Sequence, residues 1–425
     1  MNFKNIKGFK MQEPGYLKVP LASSGLRDQD IDSAIEVLKS GSLTMGSKVK
    51  KFESAMAQYL GSKHFIMMNS GSSANLAMIE ASLRPVLSEP RLQHGAGVLV
   101  PAIAWPTTVW PILQLGLKPV FVDINTSTLA IDLKLAQDVI DKSPIPIHGI
   151  FPIHVLGRGL PTQELESFAL KNKILLINDV CESLGSWETN RHVGLGGAGG
   201  SFSFYFSHHI TTMEGGGVAT NDPLFADDLR SIRSHGWSRD RSDAAEWLPD
   251  NADLNSKFLF VSTGYNIRPM EIQAAIGLNQ IRDVDAFISR RRHLANLVRN
   301  VVTGSQLELV GSDLLSGKET DKQHSWMMLP IRISEKSTSD LKTNLIQFLE
   351  HHGVETRPVL TGNFLAQPAM KRISVSGYDQ SVFTVANDVA KRTFLIGAHH
   401  DFSDEQMNHI ADCLDHFVTI NGLRD

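Results

Sequence analysis

A glycine–serine turn is the first segment of the chain whose residue types suit a chemical role. Residues 69–75 read NSGSSAN and stand between an apolar run and a segment of helical character. A strand that ends in such a turn before a helix presents backbone N–H groups and hydroxyls at the positive end of the helix, which suits a phosphate. Gly71, Ser72 and Ser73 are therefore candidate phosphate contacts. An ordinary tight turn with a helix N-cap explains the same residues equally well.

A carboxylate at the end of an apolar run is the second feature. Asp179 follows ILLIN at positions 174–178. Ligands in open α/β sheets bind at the carboxyl ends of the strands, where this side chain is expected. In a vitamin B6 enzyme, such a carboxylate pairs with the protonated pyridine nitrogen of the cofactor. Taken alone, Asp179 is more simply explained as the N-cap of the following segment.

The most informative segment is 200–222, GSFSFYFSHHITTMEGGGVATND. It resembles the active-site turn of the sugar aminotransferase family called DegT/DnrJ/EryC1/StrS, which has the aspartate aminotransferase fold. When Glu214 and the glycines after it are aligned without gaps, the lysine that links the cofactor in that family falls on His208. The phosphate-contacting serine of the family falls on Ser203.

Further motifs extend the resemblance over most of the chain. NSGSSAN matches the phosphate turn, and VPAIAWPTT places Trp105 where an aromatic ring stacks on the cofactor. NDVCESLG places Asp179 at the pyridine nitrogen and Glu182 where the family commonly has glutamine. GYNIRPMEIQAAIGL places Asn266 where the family reaches the cofactor phosphate of the neighbouring subunit. The resemblance thus implies a pocket for pyridoxal 5′-phosphate (PLP) and a homodimer with shared active sites.

Histidine in place of lysine decides the expected chemistry. Imidazole does not form the stable covalent link to the cofactor that a lysine amine forms. No lysine occurs between Lys173 and Lys257, so His208 has no substitute nearby in the sequence. A degenerate position in an inactive enzyme is the alternative, but the other pocket motifs are retained.

The same substitution resembles a branch of the family, the nucleotide-linked 4-keto-6-deoxyhexose 3-dehydratases, and most of all those that use the GDP-linked mannose derivative. That branch works with pyridoxamine 5′-phosphate (PMP), removes the C3 hydroxyl of the sugar, and regenerates PMP with L-glutamate. The resemblance implies that His208 moves the protons in both half-reactions, since the ordinary pKa of histidine suits a general base at neutral pH. The product would feed dideoxysugar synthesis for surface polysaccharide.

The cysteine count separates two related chemistries. A second type of dehydratase carries the same histidine but holds an iron–sulfur cluster with several cysteines. This chain has only Cys181 and Cys413, and none between Arg233 and Lys257. We therefore expect no iron–sulfur cluster. Two cysteines are also too few for a disulfide framework, which favours the cytoplasm.

Two further segments offer candidate substrate contacts. RSIRSHGWSRDR, from position 230, offers Arg233, His235 and Arg239 for the nucleotide diphosphate, although a solvated basic surface explains the charges nearly as well. ETRPVLTGNFLAQP, from position 355, offers Arg357 and Asn363 for glutamate or the sugar. The adjacent histidines at 399–400 lack further ligands, so we predict no metal site.

The order of apolar runs indicates the fold. Runs of strand length at 65–70, 97–102, 118–124, 147–157 and 174–180 alternate with helical stretches, which is typical of a parallel sheet covered on both faces. A long helical stretch is expected from Pro269 to about Val301. We predict an α/β protein with a fold type I large domain, containing a mostly parallel seven-stranded sheet, and a smaller α+β C-terminal domain.

Composition bounds the remaining possibilities. The chain has 425 residues, which suggests two domains, and we place them at 1–285, with an N-terminal arm, and 286–425. A net charge of −4 and the lack of a long basic or apolar run argue against nucleic-acid and membrane partners. Two other functions stay open: a sugar aminotransferase that tolerates histidine, and a non-catalytic B6- or sugar-binding regulator.

Overall fold

The computed structural model describes residues 17–251, 253–338, 340–373 and 379–424. Most of the N-terminal arm expected from the sequence, residues 1–16, lies outside these ranges. The helices are α1 Asp28–Ser40, α2 Ser47–Leu60, α3 Gly71–Leu83, α4 Pro106–Gln114, α5 Leu133–Lys142, α6 Thr162–Asn172, α7 Pro223–Arg233, α8 Glu271–Gln280, α9 Val284–Val302, α10 Leu341–His351, α11 Pro368–Arg372, α12 Thr384–Arg392 and α13 Asp404–Ile420.

The strands follow the apolar runs. They are β1 His64–Met68, β2 Gly97–Pro101, β3 Lys118–Val122, β4 Ile147–Ile150, β5 Leu175–Leu176, β6 Asn178–Asp179, β7 Trp187–Glu188, β8 Arg191–His192, β9 Gly200–Ser203, β10 Gly216–Thr220, β11 Leu307–Leu309, β12 Met328–Ile333, β13 Thr356–Arg357 and β14 Thr393–Gly397. Among the described residues, no helix is both long enough and apolar enough to span a bilayer.

One large sheet carries the candidate site. The strands β3-β2-β4-β5 are parallel, and β6-β9-β10-β1 continue beside them. Because β5 and β6 are pieces of one extended segment, the two groups form a seven-stranded sheet in which only β10 runs against its neighbours β1 and β9. The expected mostly parallel seven-stranded sheet is confirmed. Its strands are buried on both faces, and α3 is buried nearly all round beneath it.

A smaller sheet forms the second layer of the molecule. The strands β11-β12-β14-β13 are antiparallel, and their apolar residues share one core with α9 and α13. The segment that contains Val359 and Phe364 instead packs in the core of the large sheet. The division of the chain at residue 285 stays a proposal.

The long helical stretch is interrupted. The structure has α8 and α9 joined by a 3₁₀ turn at Ile281–Asp283, where the sequence suggested one continuous stretch. The turn redirects the chain, because α8 packs against α1 and α2 whereas α9 packs against α13. The sequence has neither proline nor glycine at this point, so the break has no local signal.

Candidate active site

The turn before α3 has the geometry of an anion site. The hydroxyl of Ser70 caps the helix by accepting a hydrogen bond from the N–H of Ser73 at 3.1 Å. The first N–H groups of a helix have no acceptor within the helix, so those of Gly71 and Ser72 are free for a ligand at its positive end. Gly71 lies against β9, since a Cβ atom there would be 2.6 Å from the Cβ of Ser203. The turn and Ser203 thus form one cradle.

Asp179 ends β6 and is held from three directions. Its Oδ2 accepts hydrogen bonds from Asn75 Nδ2 at 2.9 Å and Thr108 Oγ1 at 2.6 Å. Its Oδ1 accepts from the N–H of Cys181 at 3.1 Å. The side chain is buried, and the carboxylate faces a cavity. Sequence analysis did not assign Asn75 and Thr108 to this role.

The cavity has a volume of about 290 Å³. Trp105 stands at its mouth at the start of α4, with 47% of its surface exposed. Arg357 lies opposite, with its Cζ 5.9 Å from the centroid of the Trp105 ring. The walls include eight of the residues predicted from the sequence: Gly71, Ser72, Trp105, Asp179, Glu182, Ser203, His208 and Arg357. Ser73, the third residue of the predicted turn, faces Ser70 instead.

His208 lies in the turn that follows β9. Its N–H donates to the carbonyl of Tyr205 at 2.9 Å, and its Nδ1 is buried without a hydrogen-bond partner in the described part of the chain. Burial, and then the charge of Arg291, lower the pKa of His208 to about 4, although a hydrogen bond with the backbone of Cys181 opposes the shift. The imidazole is therefore neutral at pH 7 and able to accept a proton, but it is a weaker base than the ordinary pKa of histidine, expected from the sequence, would make it.

Glu182 has the opposite electrostatic character. Burial raises its pKa to about 7, against the lowering effects of its hydrogen bond from the backbone of Leu156 and of the nearby Arg357. The Leu156 N–H donates to Oε2 at 2.8 Å. Near neutral pH this side chain therefore exists in both protonated and ionised forms, which suits a group that contacts a titrating cofactor oxygen.

Three of the other predicted residues form a surface cluster away from the cavity. Arg239 lies over the ring of Trp237, with its Cζ 4.0 Å from the centroid, and His235 meets the same ring edge-on at 5.4 Å. Arg268 approaches that ring to 5.6 Å and donates from Nε to Asn266 Oδ1 at 3.0 Å. We call these five residues the Trp237 cluster. Arg268 and Trp237 were not singled out from the sequence.

Asn363 has a structural environment. It is buried, and its Nδ2 donates to Asn387 Oδ1 at 2.9 Å and to the carbonyl of Gln380 at 3.3 Å. Its Oδ1 accepts from the N–H of Leu365. These contacts use the amide fully and do not place it at the cavity.

The adjacent histidines lie behind the active-site turn. One ligand atom from each of His399, His400 and Asp401 lies within 4.8 Å of the others. The two rings are stacked with centroids 4.3 Å apart, so their nitrogens do not converge on one point. The buried Arg291 lowers the pKa of both histidines, after burial itself, and a neighbouring cation opposes metal binding.

The residues that are present fit PLP. The helix end with Ser203 suits its phosphate, Asp179 suits its ring nitrogen, and Trp105 offers a stacking surface. The residue that stands where the family keeps lysine, His208, lines the same cavity, and its Nδ1 is a buried polar atom without a partner in the described part of the chain. No lysine is among the cavity-lining residues that the structure describes.

Comparison with known proteins agrees with this geometry. The model of the DegT/DnrJ/EryC1/StrS aminotransferase family matches residues 25–415. The chain belongs to this family. It is 33% identical over 406 residues to the GDP-4-keto-6-deoxy-D-mannose 3-dehydratase of Escherichia coli O55:H7, covering 94% of this chain and 100% of that protein. The expected family and fold class are confirmed.

Solved structures give the same result. The E. coli GDP-4-keto-6-deoxy-D-mannose-3-dehydratase with bound hydrated PLP superposes with a TM-score of 0.80 at 32% identity, covering 94% of this chain and 99% of that one. A GDP-4-keto-6-deoxymannose-3-dehydratase with a trapped PLP–glutamate geminal diamine also has a TM-score of 0.80 at 32% identity, covering 93% and 100%.

Proposed function

We propose that this protein is a PLP- and PMP-dependent 3-dehydratase of GDP-4-keto-6-deoxy-D-mannose. It removes the C3 hydroxyl to give a 3,6-dideoxy-4-keto-sugar, and L-glutamate restores PMP. The observation that carries the proposal is His208, a neutral base at the position where the family keeps lysine, in a cavity whose lining residues fit PLP. The similarity to dehydratases over nearly the whole chain supports the substrate.

The chain binds and orients the cofactor through four contacts. Gly71 and Ser72 would donate backbone N–H groups to the phosphate, and the hydroxyl of Ser203 would add a third donor. Asp179 would hold the ring nitrogen, and the hydrogen bonds from Asn75 and Thr108 fix the direction of its carboxylate. When bound, PLP or PMP supplies an electron sink that lowers the barrier to breaking bonds at the attached substrate.

His208 moves the protons. Because no covalent link occupies its ring, the imidazole that lines the cavity is free to take a proton and return it within the same catalytic cycle. The pKa of about 4 keeps the ring unprotonated before each transfer. Arg357 faces the same cavity and offers a bidentate partner for the carboxylate of glutamate.

The Trp237 cluster is the proposed contact for the GDP moiety. Two guanidinium groups beside one partly buried aromatic ring suit a diphosphate with an attached base. Asn266 is exposed and lies outside the cavity of its own chain, which supports the expectation that it completes the site of a neighbouring subunit. We propose a homodimer on this ground. We also propose that the protein acts in the cytoplasm, in nucleotide-sugar metabolism. Exposed apolar residues along one face of α1 support a subunit contact: Ile31, Ile35 and Leu38.

Product analysis tests the reaction. Purified protein is incubated with PLP, L-glutamate and GDP-4-keto-6-deoxy-D-mannose, and the nucleotide sugar is analysed by mass spectrometry while 2-oxoglutarate is measured. A 4-keto product that has lost one oxygen supports the dehydratase. An amino-sugar would identify an aminotransferase instead. If the GDP-linked sugar is unchanged, and CDP- and dTDP-linked 4-keto-sugars are also unchanged, the result supports a non-catalytic binding protein.

Substitution of the Trp237 cluster tests the GDP contact. Arg239→Ala should raise KM for the nucleotide sugar roughly tenfold or more, because a charge-assisted hydrogen bond is lost. The rate of PMP formation from glutamate should not change, since glutamate carries no diphosphate. Arg191→Ala is the control, since Arg191 is a surface arginine paired with Glu166. Equal KM values in both variants would contradict the assignment.

A further inference from the structure

Arg291, in the first half of α9, is a fully buried arginine whose position calls for an explanation. Its residual exposure is 1%, and it has no salt bridge within the described ranges. Taking a guanidinium out of water without a carboxylate costs several kcal/mol, roughly, and simple packing does not require a charge. The chain therefore retains a costly group at this place.

Its hydrogen bonds converge from three separate segments. Nη1 donates to the carbonyls of Met327 and Ala398, each at 2.9 Å, and Nη2 donates to the carbonyl of His208, also at 2.9 Å. Met327 precedes β12 and Ala398 follows β14. One side chain thus ties the turn that carries His208 to two strand ends of the smaller sheet.

We infer that Arg291 is the positioning residue for His208, holding the imidazole at the cavity through the carbonyl of the same residue. The inference rests on the proposed function of His208 as the proton carrier. A guanidinium is suited to this, because its rigid planar fork satisfies several carbonyls in fixed directions, which a lysine ammonium does not. Arg291 itself does not line the cavity.

The charge of Arg291 has a second effect. It is the largest cause after burial of the low pKa of His208, so it favours the neutral base as well as its location. The charged or titratable groups that face His208 come from several elements: Arg291, Arg357, Asp179, Cys181, Glu182, Tyr205, His209 and Glu214. Those around Arg291 also include His399, His400 and Asp401, and only Asp401 raises the pKa of Arg291.

The neighbouring arginine on α9 provides a matched control. Arg292 is also largely buried, and its Nη2 donates to the carbonyls of Asp321 and His324, both at 3.3 Å. It supports a different loop. Arg292→Met therefore removes an arginine that lies on the same helix and donates to carbonyls, but whose hydrogen bonds do not involve the turn that carries His208.

Three variants separate position from charge. Arg291→Met removes both the hydrogen bonds that position His208 and the positive charge beside it. We expect kcat to fall about 100-fold, which is the effect of misplacing a catalytic group by about 1 Å, while KM for the sugar stays unchanged. Arg291→Lys retains the charge but loses the fork, so kcat should fall while the acid limb of its pH profile stays in place. In Arg291→Met that limb should move upward by roughly 0.5 to 1 pH unit. Arg292→Met should match the wild type in both respects.

A readout that needs no turnover is the imidazole titration of His208 by NMR in protein labelled at histidine, assigned with His208→Asn. We expect the pKa of His208 to rise in Arg291→Met and to stay unchanged in Arg292→Met. If the wild type forms no dehydrated product, the proposed function fails while this titration still tests the inference. If Arg291→Met does not fold, Arg291→Lys decides. Wild-type kcat in Arg291→Lys, or identical titrations in Arg291→Met and Arg292→Met, would overturn it.

Discussion

Replacing Gly71 by alanine should damage the phosphate cradle in a measurable way. The new Cβ would lie 2.6 Å from the Cβ of Ser203 and 2.9 Å from the Sγ of Cys181. Carbon atoms in contact are about 3.5 to 4.0 Å apart, so β9 and α3 must separate by roughly 1 Å. Overpacking of this kind costs about 1 to 3 kcal/mol of stability.

The same displacement removes a hydrogen bond to the cofactor. A donor moved by 1 Å no longer reaches the phosphate, and a hydrogen bond to a charged group contributes about 1.5 to 3 kcal/mol. We therefore expect Gly71→Ala to bind PLP roughly 10- to 150-fold more weakly, as measured by fluorescence titration. The melting temperature of the apoprotein should fall as well.

Two further variants separate crowding from hydrogen bonding. Ser203→Ala removes the hydroxyl without adding an atom, so PLP affinity should fall while the melting temperature is kept. In the double variant Gly71→Ala/Ser203→Gly the clashing Cβ of Ser203 is gone, and part of the lost stability should return without the lost affinity. Wild-type affinity in Gly71→Ala would refute the assignment of this turn to the phosphate.

Other consequences follow from the buried polar groups. Thr108→Val keeps the side-chain shape but removes the 2.6 Å donor to Asp179, so PLP should bind about tenfold more weakly in equilibrium dialysis; unchanged affinity would contradict the orienting role. Burial lowers the pKa of His154 to about 4 and the pKa of His192 to about 3 in the folded protein. As the pH falls, both histidines are therefore protonated in the unfolded chain before they are protonated in the folded protein. The free energy of unfolding, measured by urea titration, should therefore decrease by about 2 kcal/mol per histidine between pH 7 and pH 5. His154→Gln should make this pH dependence less steep. A free energy of unfolding that does not change with pH would exclude a contribution from these buried histidines. His208 has to be neutral to accept a proton, so in a Glu182→Gln variant, which lacks the cavity carboxyl whose pKa is about 7, PMP formation from glutamate should keep its rate from pH 7 down to about pH 5 in folded protein. A loss centred on the ordinary pKa of histidine in that variant would show that burial does not act on His208.

Much of the site was predictable because its residues sit in continuous motifs. Gly71 comes shortly after β1, and Asp179 and Ser203 are the last residues of β6 and β9; the carboxyl ends of parallel strands meet at one edge of a sheet. The order of apolar runs was therefore enough to bring Gly71 and Asp179 together, whereas Ser203 was placed by the family resemblance of its segment. His208 was found for a different reason, since it replaces a residue that a known motif requires.

The residues that were missed act across long sequence separations. Thr108 and Asp179 are 71 residues apart, and Arg291 and His208 are 83 apart, so neither contact leaves a local pattern. Asn363 shows the converse. Its segment resembles a substrate loop, yet its side-chain amide donates a hydrogen bond to Asn387 on α12. This contact depends on how α12 packs against the segment, which the sequence does not show.

Ammonia release tests the central claim most directly. Wild type and His208→Asn, each loaded with PMP, are given GDP-4-keto-6-deoxy-D-mannose in a single turnover, and free ammonia is measured against the sugar consumed. We expect one equivalent of ammonia from the wild type and none from His208→Asn, although the variant still binds the cofactor. A wild type that consumes the sugar without releasing ammonia, or a His208→Asn variant that releases it at the wild-type rate, would contradict a dehydration driven by His208.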